Sequence, residues 1–229
     1  LCAVYEKNHT KNIKIYEKLM AERNSSFKNK TLDNVWLDAL EDQMSHVSID
    51  IAETRLAFIS NLNKVLETNL DPVWPKAHLE IIGFVENLVS SWNSTKAKEM
   101  LRNELKNNRE RDLFSKRTNE GVHRSDLLVN EKNKKMEAKN CSTGEQKSLL
   151  MGIILSHLEL ISSLKCRYPI LLLDEVLAHF DEIRRKSFFK QVQKIGSQII
   201  MTGTDISVFE ELEDIEIYHL NNKKITDIR

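Results

Sequence analysis

Between Tyr5 and Leu70 the chain has neither glycine nor proline, and its apolar residues return every three or four positions: Trp36, Leu40, Met44, Val47, Ile51, Phe58, Leu62 and Val65. That period belongs to amphipathic helix, so the segment reads as helical throughout. Asn24-Ser25-Ser26 and Asn29 favour turns and caps, which predicts a break between Asn24 and Thr31 and hence two helices. The second, from Asp33 onward, is expected to run for roughly 35 residues and about 50 Å. That is too long for the core of a small domain and reads as an arm or lever. Asp71-Pro72-Val73-Trp74-Pro75 closes the region, because proline cannot continue a helix and biases its predecessor toward extended backbone.

Beyond that punctuation His78 to Val85 reads as a strand and Ala97 to Asn108 as a polar helix. From Cys141 onward helix and strand alternate. Ser142 to Leu164 is a helix whose apolar face carries Leu149, Leu150, Ile153, Ile154, Leu158, Ile161 and Leu164. Ile170 to Leu173 is a buried strand, Asp181 to Ile195 a helix closed by Gly196, and Gln198 to Met201 a second buried strand. Ile215 to Leu220 and Lys224 to Ile228 form a hairpin around Asn221-Asn222. Such alternation predicts a mainly parallel sheet wrapped by helices, an α/β architecture. The expected division is residues 1–72 as a helical arm domain and 73–229 as an α/β lobe.

Composition narrows the partners. With 41% hydrophobic residues, six Gly and three Pro in 229 residues, the chain is globular and helix-rich. Lys plus Arg equals Asp plus Glu at 34 each, so no global basic field announces nucleic acid, and any such site is local. Lys96 to Lys139 holds 13 basic against 8 acidic residues, which suits a solvated face as well as a phosphate-tracking surface. Cys2, Cys141 and Cys166 are too few and scattered for a disulfide framework or a zinc site, which points to a reducing cytoplasm. No apolar run approaches the roughly 18 residues that cross a bilayer, so no membrane association is expected. The first residue is Leu1 and no signal-peptide pattern follows, so the sequence reads as a fragment.

Two motifs carry chemistry. Ile170-Leu171-Leu172-Leu173 runs into Asp174-Glu175, the form of a Walker B strand. Adjacent acids at a strand end repel each other and lose hydration, and a Mg²⁺-nucleotide offsets that cost. In an ATPase Asp174 holds the hydrated Mg²⁺ and Glu175 polarises the attacking water. The bland alternative is a strand finishing in an Asp-Glu cap. Thirty residues upstream, Ser142 and Glu145 form a capping box. The same geometry, with Gly144 admitting close backbone approach, makes an anion site suited to a γ-phosphate. Met201-Thr202-Gly203-Thr204-Asp205 follows the next strand, where α/β folds bind ligands, and either threonine suits a phosphate sensor. His123-Arg124 is a compact basic pair after Gly121, compatible with a plain surface turn or a DNA contact. His46, His78, His157 and His219 have no metal-ligand spacing. None of the six glycines are five positions apart, so the phosphate-cradling G-x-x-x-x-G-K-[ST] loop, Walker A, is absent from these residues.

Together these pieces resemble an ABC/SMC-type ATPase head, and in particular the RecF family. The resemblance runs from Tyr16-Glu17-Lys18 and Arg23-Asn24, through Arg111-Asp112 and the Thr118, Gly121, His123, Arg124, Asp126 cluster, to Ser142–Lys147, Leu173-Asp174-Glu175, Asp181 and Thr202-Gly203-Thr204. It departs at Val122, where the family has proline, at Ser125, where an acid is common, and at Cys141, where leucine usually precedes the signature serine. It covers the carboxyl-terminal two thirds of such a protein, without the Walker A half.

The resemblance implies a P-loop NTPase lobe with a helical arm that closes an ATP- and Mg²⁺-dependent homodimer. Glu175 would be its catalytic base and Asp174 its Mg²⁺ ligand through water. Ser142, Gly144, Gln146 and Thr204 would contact nucleotide, with Asp181 in the loop that crosses the dimer interface. It further implies slow ATP hydrolysis, a cytoplasmic clamp on double-stranded and gapped DNA, and work with RecO and RecR in loading RecA during gap repair and the SOS response. The rivals are another SMC-type repair ATPase and, for these residues alone, a non-catalytic DNA-binding module.

Overall fold

The computed structural model describes residues 2–29, 33–68, 70–165, 169–209, 215–221 and 224–227. Thr31, Cys166, Asn222 and Ile228, which figure in the expectations above, lie outside them. Two compact units emerge, residues 1–168 and 169–229.

The first unit begins with α1 (Cys2–Tyr5) and α2 (Lys7–Lys28), followed by α3 (Asn34–Thr68). The 35 residues of α3 match the expected length. The break falls inside the expected span, with Asn29 capping the end of α2, although Asn24, Ser25 and Ser26 lie within the helix. Their polar side chains are used within the helix or against its neighbours instead, Ser26 bonding back to the Glu22 carbonyl at 3.3 Å. Asp33 caps α3, accepting from the backbone of Val35 and Trp36.

A long helix needs partners along its length, and α3 has two sets. Its first half packs with α2, α4 (Phe84–Ser91) and α5 (Ser94–Asn107) around Tyr16, Leu19, Leu40, Met44, Ile49, Val85, Leu101 and Leu105. Its second half packs with β1 (Ala77–Ile82) and α7 (Thr143–Lys165) around Phe58, Leu62, Leu66, Leu79, Leu149 and Ile153. The helix therefore serves as a shared spine, and the unit continues past the expected boundary at residue 72 to 168.

Between α5 and α7 run α6 (Arg109–Ser115), β2 (Asp126–Glu131) and β3 (Met136–Glu137). None of the three is evident from apolar periodicity. β1, β2 and β3 make an antiparallel sheet in that order, with Leu79 opposite Val129. The expected strand to Val85 stops at Ile82 because Gly83 initiates α4. By length and composition residues 143–164 of α7 suffice to cross a bilayer, contrary to the expectation from sequence, yet more than half of that stretch is buried within the protein.

The second unit holds β4 (Leu171–Leu173), α8 (Glu182–Ile195) and β5 (Ile199–Met201). β4 and β5 pair in parallel, Leu172 opposite Ile200. Asp181 caps α8 and Gly196 ends it at φ 73°, as the sequence indicates. Leu171, Leu173, Phe188, Val192 and Ile195 are buried. The two strands are not buried on both faces: Leu172 is 69% and Ile200 54% exposed. β6 (Tyr218–Asn221) and β7 (Lys224–Asp227) form the expected hairpin. Among the described residues only β4 and β5 pair in parallel, so of the expected mainly parallel sheet a two-stranded piece is present, and the other two sheets are antiparallel.

Candidate functional site

At the carboxyl ends of β4 and β5 three residues of the expected site are linked, Asp174 and Thr202 through their side chains and Glu175 through its backbone amide. Asp174 and Glu175 follow β4, and Thr202 follows β5, its amide donating to the Leu173 carbonyl at 3.0 Å. The Thr202 hydroxyl donates to Asp174 Oδ1 and accepts the Glu175 amide at 3.2 Å. One hydroxyl thus fixes both acidic positions. Glu175 has φ 50° and ψ 21°, a left-handed backbone that costs a non-glycine residue energy and turns its side chain away from the strand register. All three residues are exposed, so the carboxylates stand in water at the sheet edge. Of the two threonines, Thr202 makes this link; Thr204 is exposed and takes no part in it. A Cβ at Gly203 would lie 2.8 Å from the Phe209 ring, so a larger residue there would have to displace the ring.

Asp181 is placed by the helix it starts. Its Oδ1 accepts the Arg184 amide at 2.8 Å and its Oδ2 the Arg184 guanidinium at 2.9 Å, leaving the carboxylate half engaged and exposed. Among the described residues no group of three metal-ligating side chains forms.

In the first unit the amino end of α7 forms the capping box. Ser142 donates to Glu145 Oε2 from both its amide and its hydroxyl, each at 3.0 Å, and its Oγ lies 3.4 Å from the Glu145 amide. Lys134, in the β2–β3 turn, donates to the other Glu145 oxygen. That bond, followed by the two from Ser142, holds Glu145 down to a pKa of about 2. Gln146 turns back to donate to the Cys141 and Lys139 carbonyls at 3.1 and 3.3 Å. A Cβ on Gly144 would meet nothing within 4 Å. This chain's own packing does not demand that glycine.

His123 and Arg124 sit in a short 3-10 turn, Val122–Arg124. Both are exposed, but the imidazole is already engaged: Tyr16 Oη lies 2.7 Å from Nδ1, and Nε2 lies 3.1 Å from the Thr118 carbonyl. Nε2 therefore carries the proton and donates to that carbonyl, while Nδ1 accepts from the tyrosine. Partial burial pushes the His123 pKa down, which keeps the ring neutral. Gly121 precedes it at φ 141°, where a Cβ would strike the Tyr16 hydroxyl. Val122, in the proline position, is buried and its carbonyl accepts from Arg55 at 2.7 Å. Ser125 donates to buried Glu86 at 2.6 Å, a bond that an ionised acid at that position would replace with repulsion.

The same cluster contains a device that periodicity alone did not assign. Arg23 is fully buried and donates to Glu41 at 3.0 Å, Asp112 at 2.6 Å, Thr118 Oγ1 at 2.9 Å and the Leu105 carbonyl at 2.8 Å, over the face of Phe27. Arg109 supplies the second cation against Glu41. Asn24 accepts from the amide and hydroxyl of Thr118 at 2.7 and 2.9 Å. Two buried acids are thus balanced by two arginines, joining α2, α3, α5 and α6. The signal available in sequence was a cation on the Tyr16, Leu19, Arg23, Phe27 stripe, where an apolar residue is expected.

A helical unit is joined in sequence to a β/α unit, with paired acids after a parallel strand and a capping box opening a long helix, an arrangement compatible with the fold of an ABC/SMC-type ATPase head. No protein-family profile matches the chain. It is 39% identical to DNA replication and repair protein RecF of Allorhizobium ampelinum over 207 residues, 90% of this chain and 55% of that protein. It is 37% identical to RecF of Brucella abortus over 222 residues, 96% of this chain and 58% of that one. A solved structure of the recombination mediator protein RecF-ATP of the RecFOR pathway superposes with a TM-score of 0.81 at 22% identity, covering 99% of this chain and 61% of the other, which establishes the fold. The chain is RecF-like along nearly its whole length, and it spans a little over half the length of those relatives rather than two thirds.

Proposed function

We propose that these residues form part of a RecF-type DNA replication and repair ATPase, the lobe that supplies Walker B and the signature helix. Relatives carrying that name align with 90–96% of the chain, a span that takes in both Ser142 and Asp174-Glu175, and this observation carries the reading. In that reading Asp174 holds a Mg²⁺ through water and Glu175 orients the attacking water, both kept in place by Thr202. Charge is stabilised best by groups that need not reorganise, and the shared threonine supplies that rigidity. Ser142, Gly144 and Gln146 of one copy meet the γ-phosphate held by a second copy, with Asp181 at the crossing loop and Thr204 as a further nucleotide contact.

ATP would then act as the link between two copies, closing a clamp on duplex DNA beside gaps. The cellular role is recombinational gap repair with RecO, RecR and RecA, within the SOS response and in the cytoplasm. The exposed Leu172 and Ile200 fit a sheet face that the rest of such a head covers. Lacking Walker A, these 229 residues alone hold ATP weakly.

The test supplies, from a RecF relative, the portion that this chain does not span. Glu175→Gln in that complemented protein is expected to accumulate an ATP-bound dimer, with turnover reduced by on the order of 10²- to 10⁴-fold. Unchanged turnover would remove Glu175 from the role of base.

A further inference from the structure

The amino end of α7 already holds an anion of its own. In a capping box the serine hydroxyl accepts an amide, and the glutamate accepts the serine's amide. Here the Ser142 hydroxyl also gives its one proton to Glu145 Oε2 at 3.0 Å, beside the Ser142 amide at 3.0 Å, while its acceptor bond from the Glu145 amide is long, at 3.4 Å. Both donors that a phosphate oxygen needs from Ser142 are therefore spent on a carboxylate of the same helix. A phosphate that reaches Ser142 must take over the hydroxyl proton, and must do so next to a full negative charge.

Lys134 cancels that charge. Its ammonium donates to the other Glu145 oxygen from eleven positions earlier in sequence, and nothing in helix capping requires it. Among the described residues no other cation pairs with Glu145: the neighbouring Lys139 pairs with Glu137 instead. The β2–β3 turn is built to hold the lysine there. Asn130 pairs with Glu137 and Glu131 with Met136 across the hairpin, and the carboxylate of buried Glu131 accepts the Lys134 amide. Lys135 takes φ 52°, a conformation usually left to glycine, and Lys132 pairs with Glu67 near the end of α3. A cation is thus carried to the mouth of α7 by a hairpin anchored on α3.

We propose that Lys134 is a positioning residue of the nucleotide site: it neutralises the Glu145 carboxylate that occupies the Ser142 donors, so that the γ-phosphate of ATP held by a second copy can displace that carboxylate without meeting its charge. The inference rests on the reading of Ser142 given above and adds to it a residue from outside the signature helix. Because the pair stands partly in water, its effect is moderate and sensitive to salt. ADP, which has no γ-phosphate, is indifferent to it.

The experiment measures, by sedimentation, the ATP concentration that half-saturates dimerisation of the chain mixed with the portion of a RecF relative that it does not span, at low and high salt and with ADP binding as the control. Lys134→Ala is expected to raise that concentration roughly 5- to 10-fold at low salt and less at high salt, with ADP binding unchanged. Lys134→Arg is expected to restore it. Glu145→Gln keeps the cap but removes the charge, so Lys134→Ala combined with Glu145→Gln is expected to match Glu145→Gln alone. A lysine that only braced the fold would not be rescued by loss of its own partner. A deficit in Lys134→Ala that Glu145→Gln does not relieve would overturn the neutralising role. Parental half-saturation in Lys134→Ala, where Ser142→Ala shifts it, would overturn this inference and leave the nucleotide site standing. Ser142→Ala without effect would remove both.

Discussion

Arg23 on α2 donates to Asp112 on α6 at 2.6 Å across 89 positions of sequence, with both side chains fully buried. An arginine there is stabilising only while its acids are present, because a buried charge without its partner keeps the whole desolvation cost. Arg23→Ala is therefore expected to lower stability by about 3–5 kcal/mol in urea unfolding. Arg23→Lys should lose a large share of it, since one ammonium cannot reproduce the fork to Glu41, Asp112, Thr118 and the Leu105 carbonyl. Full stability in Arg23→Lys would show that the geometry of the fork is unimportant.

This network marks where sequence reading reaches its limit. The 35-residue length of α3, the caps Asp181 and Gly196 and the Ser142–Glu145 box were legible, because each follows from local period or local hydrogen bonding. α4, α6 and β2 were not, being short elements whose formation depends on burial against α3 and on the ions around Asp112. The four aliphatic residues before Asp174 suggested burial on both sides, whereas Leu172 is exposed, since the burial of a strand face is decided by what else is present. Of the site, Asp174 and Glu175 were evident, but the choice of Thr202 over Thr204 as their link needed the β4–β5 register.

Two glycines should respond oppositely. Gly144→Ala meets open space and sits in the first turn of a helix, so the fold is expected to be unchanged or steadier by up to about 1 kcal/mol. ATP-dependent dimerisation of the complemented protein, by contrast, should fall. Gly121→Ala places a Cβ against the Tyr16 hydroxyl at φ 141°, and should destabilise without any ligand present. Parallel thermal unfolding and sedimentation of the two variants distinguish a glycine kept for an external group from one kept for the fold.

Thr202→Val preserves shape but removes the hydroxyl shared by Asp174 and Glu175. Because the site is exposed, stability is expected to change by less than about 0.5 kcal/mol. Turnover of the complemented protein should drop at least about tenfold, with Thr202→Ser retaining most of it, if positioning is worth one hydrogen bond to a charged group. Equal activity in Thr202→Val would detach the threonine from the acids' function.

Glu145 titrates at about 2 rather than the ordinary 4.5, held there by Lys134 and then Ser142. A carboxylate whose pKa is depressed on folding stabilises the folded state fully above its unfolded value, and that contribution is lost as pH falls toward the folded one. The cap on α7 should therefore weaken between about pH 4.5 and 2. Glu145→Gln should flatten the acid dependence of helix content in that window, and an identical acid profile would show that the Lys134 bond does not persist in solution.

In the proposed dimer Ser142 and Gly144 of one copy and Asp174 and Glu175 of the other are halves of a shared ATP site. The most direct measurement titrates ATP, by equilibrium binding and sedimentation, into the chain alone and into the chain mixed with the portion of a RecF relative that it does not span. Weak binding alone, with tight binding and ATP-dependent dimerisation in the mixture, is the predicted result. A mixture that neither binds ATP nor dimerises, although both parts are folded and associated, would contradict the claim.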